Sequence, residues 1–122
     1  MQKEDKDRIL KKIDEGIFDA KLLVNCIAKL NGKIERKYRY VLISSANRNI
    51  EAERIAYEEN LNQYKTWIAY RKPILDILMK KYRLSLEDVK RLAKNAKYEE
   101  LPTYKMIDAI RERILSGVFL CV

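Results

Sequence analysis

The sequence predicts an all-α protein: a small helical bundle with a long N-terminal amphipathic helix and a cluster of shorter C-terminal helices. Three observations point there. Only 3 Gly and 2 Pro occur in 122 residues, too few for a turn-rich β fold. Apolar residues recur at intervals of three and four over the first thirty positions. The chain is also 48% hydrophobic and 36% charged, a mixture that suits amphipathic helices around a core and excludes a disordered tail. At about 150 residues per domain, the length fits one helical domain over 1–122, with room for a sub-unit of short helices at 74–117.

The first helix is expected over about 4–30. Leu10, Ile13, Ile17, Ala20, Val24 and Ile27 follow heptad spacing, and Ile9, Phe18, Leu23 and Leu30 widen the stripe. Gly16 inside it costs up to about 1 kcal/mol and marks a candidate close contact. Asn31-Gly32 reads as the stop. The stripe over 9–30 is either the core of a monomer or the seam of a homodimer.

Lys33 to Ser45 fits two patterns. Ile34, Tyr38, Val41, Leu42 and Ser45 share a helical face, while Tyr38, Tyr40 and Leu42 alternate as in a strand. A strand needs a partner, and the other β-like run is Val118 to Val122; two isolated strands are marginal in water, which favours helix. The polar run Ser44-Ser45-Ala46-Asn47-Arg48-Asn49 is a break or an exposed face. Ile50 to Tyr70 is helical, with Tyr57, Leu61, Tyr64 and Ile68 on one side. Pro73 should interrupt it and open a new helix over Ile74 to Tyr82. Ser85 with Asp88 three residues on is a capping-box start for a short helix whose apolar face is Val89, Leu92 and Ala93. Tyr98 to Leu101 reads as loop. Pro102-Thr103 begins a last helix, with Met106, Ile107, Ile110 and Ile114 inward and Ser116-Gly117 closing it.

Charge is unevenly spread. Of the net +8, residues 33–83 hold most, with 12 basic against 6 acidic side chains. The excess gathers in Lys33, Arg36, Lys37 and Arg39, and again in Lys65, Arg71, Lys72, Lys80, Lys81 and Arg83. All eight Tyr lie between 38 and 104, and seven, Tyr40 among them, adjoin a basic residue. Cations neutralise phosphates and aromatic rings stack on bases, so the pattern suits DNA or RNA. The plainer account is solvated helix faces with half-buried tyrosines.

Residues 84–115 resemble the helix–extended loop–helix units of SAP and Rho N-terminal type. Leu92 and Ala93 match the apolar pair of the first helix, and Lys105, Ile107 and Ile110 approximate the second. Such units commonly bind DNA or RNA, and the resemblance implies Lys90, Lys94, Lys97, Tyr104 and Lys105 as contacts. It covers about a quarter of the chain, and the loop lacks the family's usual glycine. Two amphipathic helices closing a bundle, or a helix-turn-helix over Ile74–Ile114, are the alternatives.

Catalysis is not expected. The chain has no His, which removes His-based triads, His metal sites and His acid–base chemistry. Glu58-Glu59, Glu87-Asp88 and Glu99-Glu100 are neighbours about 100° apart on a helix and do not converge on a metal. No Gly-rich phosphate loop occurs, so no cofactor is implied. Cys26 and Cys121 form no CxxC motif; Cys26 lies in an apolar run, as a buried reduced thiol would. No signal-peptide h-region, apolar membrane span or prenylation box is present, so a cytoplasmic protein is expected. The leading expectation is a small basic, non-enzymatic nucleic-acid-binding accessory protein of low sequence specificity. The rival is a protein-interaction module, an adaptor or mobile-element-encoded inhibitor, that binds a protein through a Tyr/Arg-rich surface.

Overall fold

The structure, a computed structural model, describes residues 3–45 and 51–122. It is all-α. Among the described residues the helices are α1 (Lys3–Asp14), α2 (Ala20–Ser45), α3 (Glu51–Lys80), α4 (Leu86–Lys94) and α5 (Tyr104–Ser116). Two short strands, β1 (Ile17–Phe18) and β2 (Leu120–Cys121), pair in parallel, and Tyr98–Glu100 form one 3-10 turn. The chain divides into two compact units, where the sequence suggests one domain with a sub-unit at 74–117. The terminal unit comprises the residues up to Lys29 together with Pro73–Val122; the hairpin unit is Leu30–Lys72.

The single N-terminal helix expected over 4–30 is two. α1 ends at Asp14, and Gly16 takes a left-handed φ of +77° while donating its N–H to the Ile13 carbonyl. Ile17–Phe18 then run extended against Leu120–Cys121. Asp19 restarts the helix, its carboxylate accepting the Leu22 N–H at 2.7 Å. The heptad count runs through this break because Phe18 fills the gap in it: Ile13, Phe18, Leu23 and Ile27 are buried, whereas Ile17 and Ala20 are only half-buried. Gly16 does mark a close approach, since a Cβ there would lie 2.8 Å from the Val118 carbonyl oxygen. The stripe over 9–30 is thus largely interior rather than an exposed dimer seam.

The remaining core of the terminal unit comes from Ile74 and Leu78 at the end of α3, Val89 and Ala93 of α4, and Met106, Ile107 and Ile110 of α5. Ser85 caps α4 in a reciprocal box with Asp88. Thr103 caps α5 through the Met106 N–H, and Gly117 closes it at φ +75°. The Tyr82 hydroxyl donates toward the Phe18 and Val122 carbonyls, at 3.2 and 2.9 Å, beside the strand pair. Burial, with Cys121 and Asp19 nearby, pushes its pKa up to about 12. Cys26 is a free, fully buried thiol whose pKa burial raises, so it is inert; Cys121 is free and half-buried.

Two expected stops are absent. α2 passes through Asn31-Gly32, at a helical cost of about 1 kcal/mol for the glycine, because Leu30 and Ile34 on either side are buried. α3 passes through Pro73, although Pro73 cannot donate to the Ala69 carbonyl. A proline inside a helix costs about 3 kcal/mol. Ile74 and Leu78, both at 0% exposure, each contribute about 1.5–3 kcal/mol of burial, enough to offset it. The boundary between the units also falls between Lys72 and Pro73.

In the hairpin unit α2 and α3 run antiparallel. Partners advance along one helix as they recede along the other: Asn31 meets Arg71, Lys33 meets Trp67, Lys37 meets Gln63, and Ser44 meets Asn60. The Lys33–Ser45 stretch is helix, not strand. Ser44 and Ser45 donate to the Tyr40 and Leu42 carbonyls, satisfying acceptors near the end of α2. Ala46 to Asn49, expected to break the helix or present an exposed face, and Ile50, expected to start the next one, lie outside the described residues.

Candidate nucleic-acid interface

On α2, Lys33, Arg36, Lys37 and Tyr40 stand at i, i+3, i+4 and i+7, so helical geometry puts them on one face. Arg36 and Tyr40 are exposed; Lys33 and Lys37 are half-buried, their ammonium groups held by partners. Lys37 donates to the Gln63 side-chain oxygen at 2.6 Å and lies 5.9 Å from the centre of the Tyr40 ring. Lys33 stands 5.5 Å above the Trp67 indole, which Tyr70 meets edge-on at 5.2 Å. Gln63 and Trp67 present this flank from α3. Both lysines are therefore positioned by neutral groups.

Other candidates from the sequence do not join this face. Arg39 is exposed but sits about 100° around α2 from Tyr40. Lys65 and Lys72, both exposed, share an i, i+7 face of α3, yet Lys65 is about 200° around the helix from Gln63, and so on another flank. Arg71 is half-buried and donates to the Asn31 side-chain oxygen at 2.6 Å, with its buried Nε lacking a partner. Burial lowers its pKa, opposed by nearby Tyr64. Its role is to clamp the two helices. Lys80, Lys81, Arg83, Lys90 and Lys94 are exposed but belong to the terminal unit. The run at 65–83 is thus divided between the units.

The hairpin unit carries a positive excess. Its described residues include eight Lys and Arg against five Glu, and their one ion pair is Arg54–Glu51 at 3.9 Å. Lys33, Arg36, Lys37, Arg39, Lys65, Arg71 and Lys72 are in none. Of the tyrosines, Tyr38, Tyr40 and Tyr98 are exposed; the other five are half-buried. Tyr38 packs on Tyr64 with ring centres 5.4 Å apart.

Asn31, Gln63, Trp67 and Tyr70 were not candidates from the sequence. A signal exists in hindsight: Tyr64, Trp67, Ile68 and Arg71 follow i, i+3, i+4, i+7 spacing. Which charge each residue meets depends on the register of the hairpin, which composition does not encode.

Residues 84–115, compared above with SAP and Rho units, comprise α4, a connection with one 3-10 turn, and most of α5. Lys90, Lys94, Lys97 and Lys105 are exposed, and Lys29 lies 5.1 Å from the Tyr104 ring. The terminal unit also has an open cleft of about 460 Å³. Its charged lining is mixed: Arg8 pairs with Asp5, Lys21 with Glu100, and Asp19 caps α2. Such a lining has no preference for an anionic polymer. Among the described residues no three His, Cys, Asp or Glu side chains are grouped to hold a metal ion, and no helix is long and apolar enough to cross a membrane.

No family model matches the chain, and no curated protein or solved structure compared with it does either.

Proposed function

We propose that this protein is a non-enzymatic, nucleic-acid-binding accessory protein that engages phosphates through the Lys33, Arg36, Lys37 and Tyr40 face, with low sequence specificity. One observation carries the reading: these cations share a helical face and none is paired with a carboxylate. Ion-paired cations would have to give up a partner to meet a phosphate. Here the lysines leave only rings and an amide, so release of the polymer's counterions drives binding without that loss. Phosphate contacts position a protein but carry no base code, hence the low specificity. A cytoplasmic site of action is part of the same proposal.

The test is titration of DNA and RNA with the full chain and with Arg36→Glu/Lys37→Glu/Arg39→Glu. At about 50 mM salt the unaltered chain binds, and the triple variant loses at least tenfold. Affinity falls steeply toward about 200 mM salt. Absence of binding to either polymer at the lower salt overturns the proposal.

A second reading has its own observation. Leu42 and Ile43 on α2 and Ile55 on α3 are 52%, 68% and 47% exposed. Large apolar side chains at these levels suit a protein partner. The two readings separate cleanly: Ile43→Ser/Ile55→Ser leaves nucleic-acid affinity unchanged in the first and abolishes partner capture in the second.

A further inference from the structure

Resting on the proposed phosphate-binding role, we infer that the ligand is double-helical nucleic acid, read through its backbone, and not a single strand held by its bases.

The aromatic residues decide this. Proteins that hold single strands offer free ring faces on which successive bases stack. In the hairpin unit five rings already have neighbours. The Trp67 face lies under the Lys33 ammonium at 5.5 Å, with Tyr70 against it at 5.2 Å. Tyr40 lies under Lys37 at 5.9 Å, and Tyr38 is packed on Tyr64 at 5.4 Å. Trp67, Tyr64 and Tyr70 are also half-buried. A base seeking Trp67 would have to displace the same lysine that its phosphate needs. The rings serve as perches that hold ammonium groups at the surface.

The cations, in contrast, are rigidly spaced. Lys33 and Lys37 are four residues apart, about 6 Å along a continuous helix, with Arg36 on the same face. A duplex carries a charge every ~1.7 Å of its axis in a fixed array, so a stiff row of cations meets several phosphates at once. The Tyr40 hydroxyl, one turn beyond, adds a neutral donor of the kind that contacts phosphate oxygens. A flexible single strand gains less from such a row, because it must be ordered to match it and has no stack to compensate.

The experiment uses the full chain with four ligands of equal length: a DNA duplex, an RNA duplex and the two single strands. Affinity is read by anisotropy at two salt concentrations, and Trp67, the only tryptophan of the chain, supplies a second signal. The expected result is that at least one duplex binds tenfold or more tighter than its own single strand, without the strong Trp67 quenching that base stacking produces. The relative affinity of the two duplexes identifies which form supplies the phosphates. Lys33→Gln/Lys37→Gln should lower the magnitude of the salt slope by about 2. Arg36→Gln, at an exposed position in no ion pair, should lower it by about 1. Single strands binding as tightly as duplexes, or strong Trp67 quenching by them, overturns this inference while leaving phosphate binding intact. Unchanged slopes in both variants overturn the assignment of phosphate contact to this face, and with it the proposed function. Binding to none of the four overturns the underlying role as well.

Discussion

The two units of this chain use the same residue types to opposite ends. In the terminal unit Phe18, Ile27, Ile74, Leu78, Met106, Ile107 and Ile110 are 2% exposed or less, and cations such as Arg8, Lys21 and Arg91 have carboxylate partners. In the hairpin unit the buried apolar residues are few, Leu30, Ile34 and Val41, and the helices are joined by amides and cation–ring contacts along their edges. One unit holds nearly all of the buried core, and the other holds a row of cations whose partners are rings and an amide in place of carboxylates. Mutations should therefore separate into those that cost stability and those that cost binding.

The largest expected effect belongs to Phe18→Ala. Phe18 is fully buried and stacked on Phe119 with ring centres 5.9 Å apart. Its truncation should cost about 3–5 kcal/mol in urea unfolding followed by circular dichroism. A loss below about 1 kcal/mol would remove the contrast between the units. Next is Gly16→Ala. At φ +77°, with a Cβ 2.8 Å from the Val118 carbonyl oxygen, the alanine is both strained and crowded, and about 1–3 kcal/mol should be lost. Arg83 goes the other way. It holds φ 56° where the chain leaves α3, and the Leu84 N–H reaches back to the Leu78 carbonyl. That is the helix ending for which glycine is favoured, so Arg83→Gly should stabilise by about 1 kcal/mol. The same variant sharpens the comparison, since nucleic-acid affinity should change less than twofold if binding belongs to the hairpin unit.

How much of this could be read from the residues depended on the range of the interaction. Local signals were legible: the Ser85/Asp88 box, the Thr103 cap, Gly117 and the inward face of α5 all follow from side chains within four positions of one another. The failures all involve distant partners. Gly16 ends α1 because β2, a hundred residues on, lies against it. Asn31-Gly32 and Pro73 fail to stop their helices because Leu30, Ile34, Ile74 and Leu78 find burial there, which no local propensity records. The charged site divides similarly. Lys33, Arg36, Lys37 and Tyr40 share a face by helical spacing alone, so they were within reach. That Lys65 and Lys72 stand on another flank, and that Trp67 rather than a carboxylate faces Lys33, depends on the register of two helices.

The smallest expected effects come from acid, and they fall on the two units differently. The Asp88 carboxyl is held below the usual carboxylate range, first by its hydrogen bonding with Ser85 and then by Arg91. A carboxylate with a depressed native pKa binds protons more readily when unfolded. Its contribution is therefore fully present above about pH 4 and is lost as pH falls through the native value. Asp88→Asn has no such titration, so its thermal midpoint should approach that of the unaltered chain on acidification from neutral pH to about pH 3. Midpoints that stay equally far apart throughout would remove Asp88 from the cap. No carboxylate is paired with Lys33, Arg36 or Lys37, so protonating acids frees no further cation on that face. Between about pH 5 and 7 duplex affinity should hold constant to within twofold. A tighter complex at the lower pH would mean that a carboxylate in solution restrains those cations, and the contrast between the units would fail at the point where it bears on function.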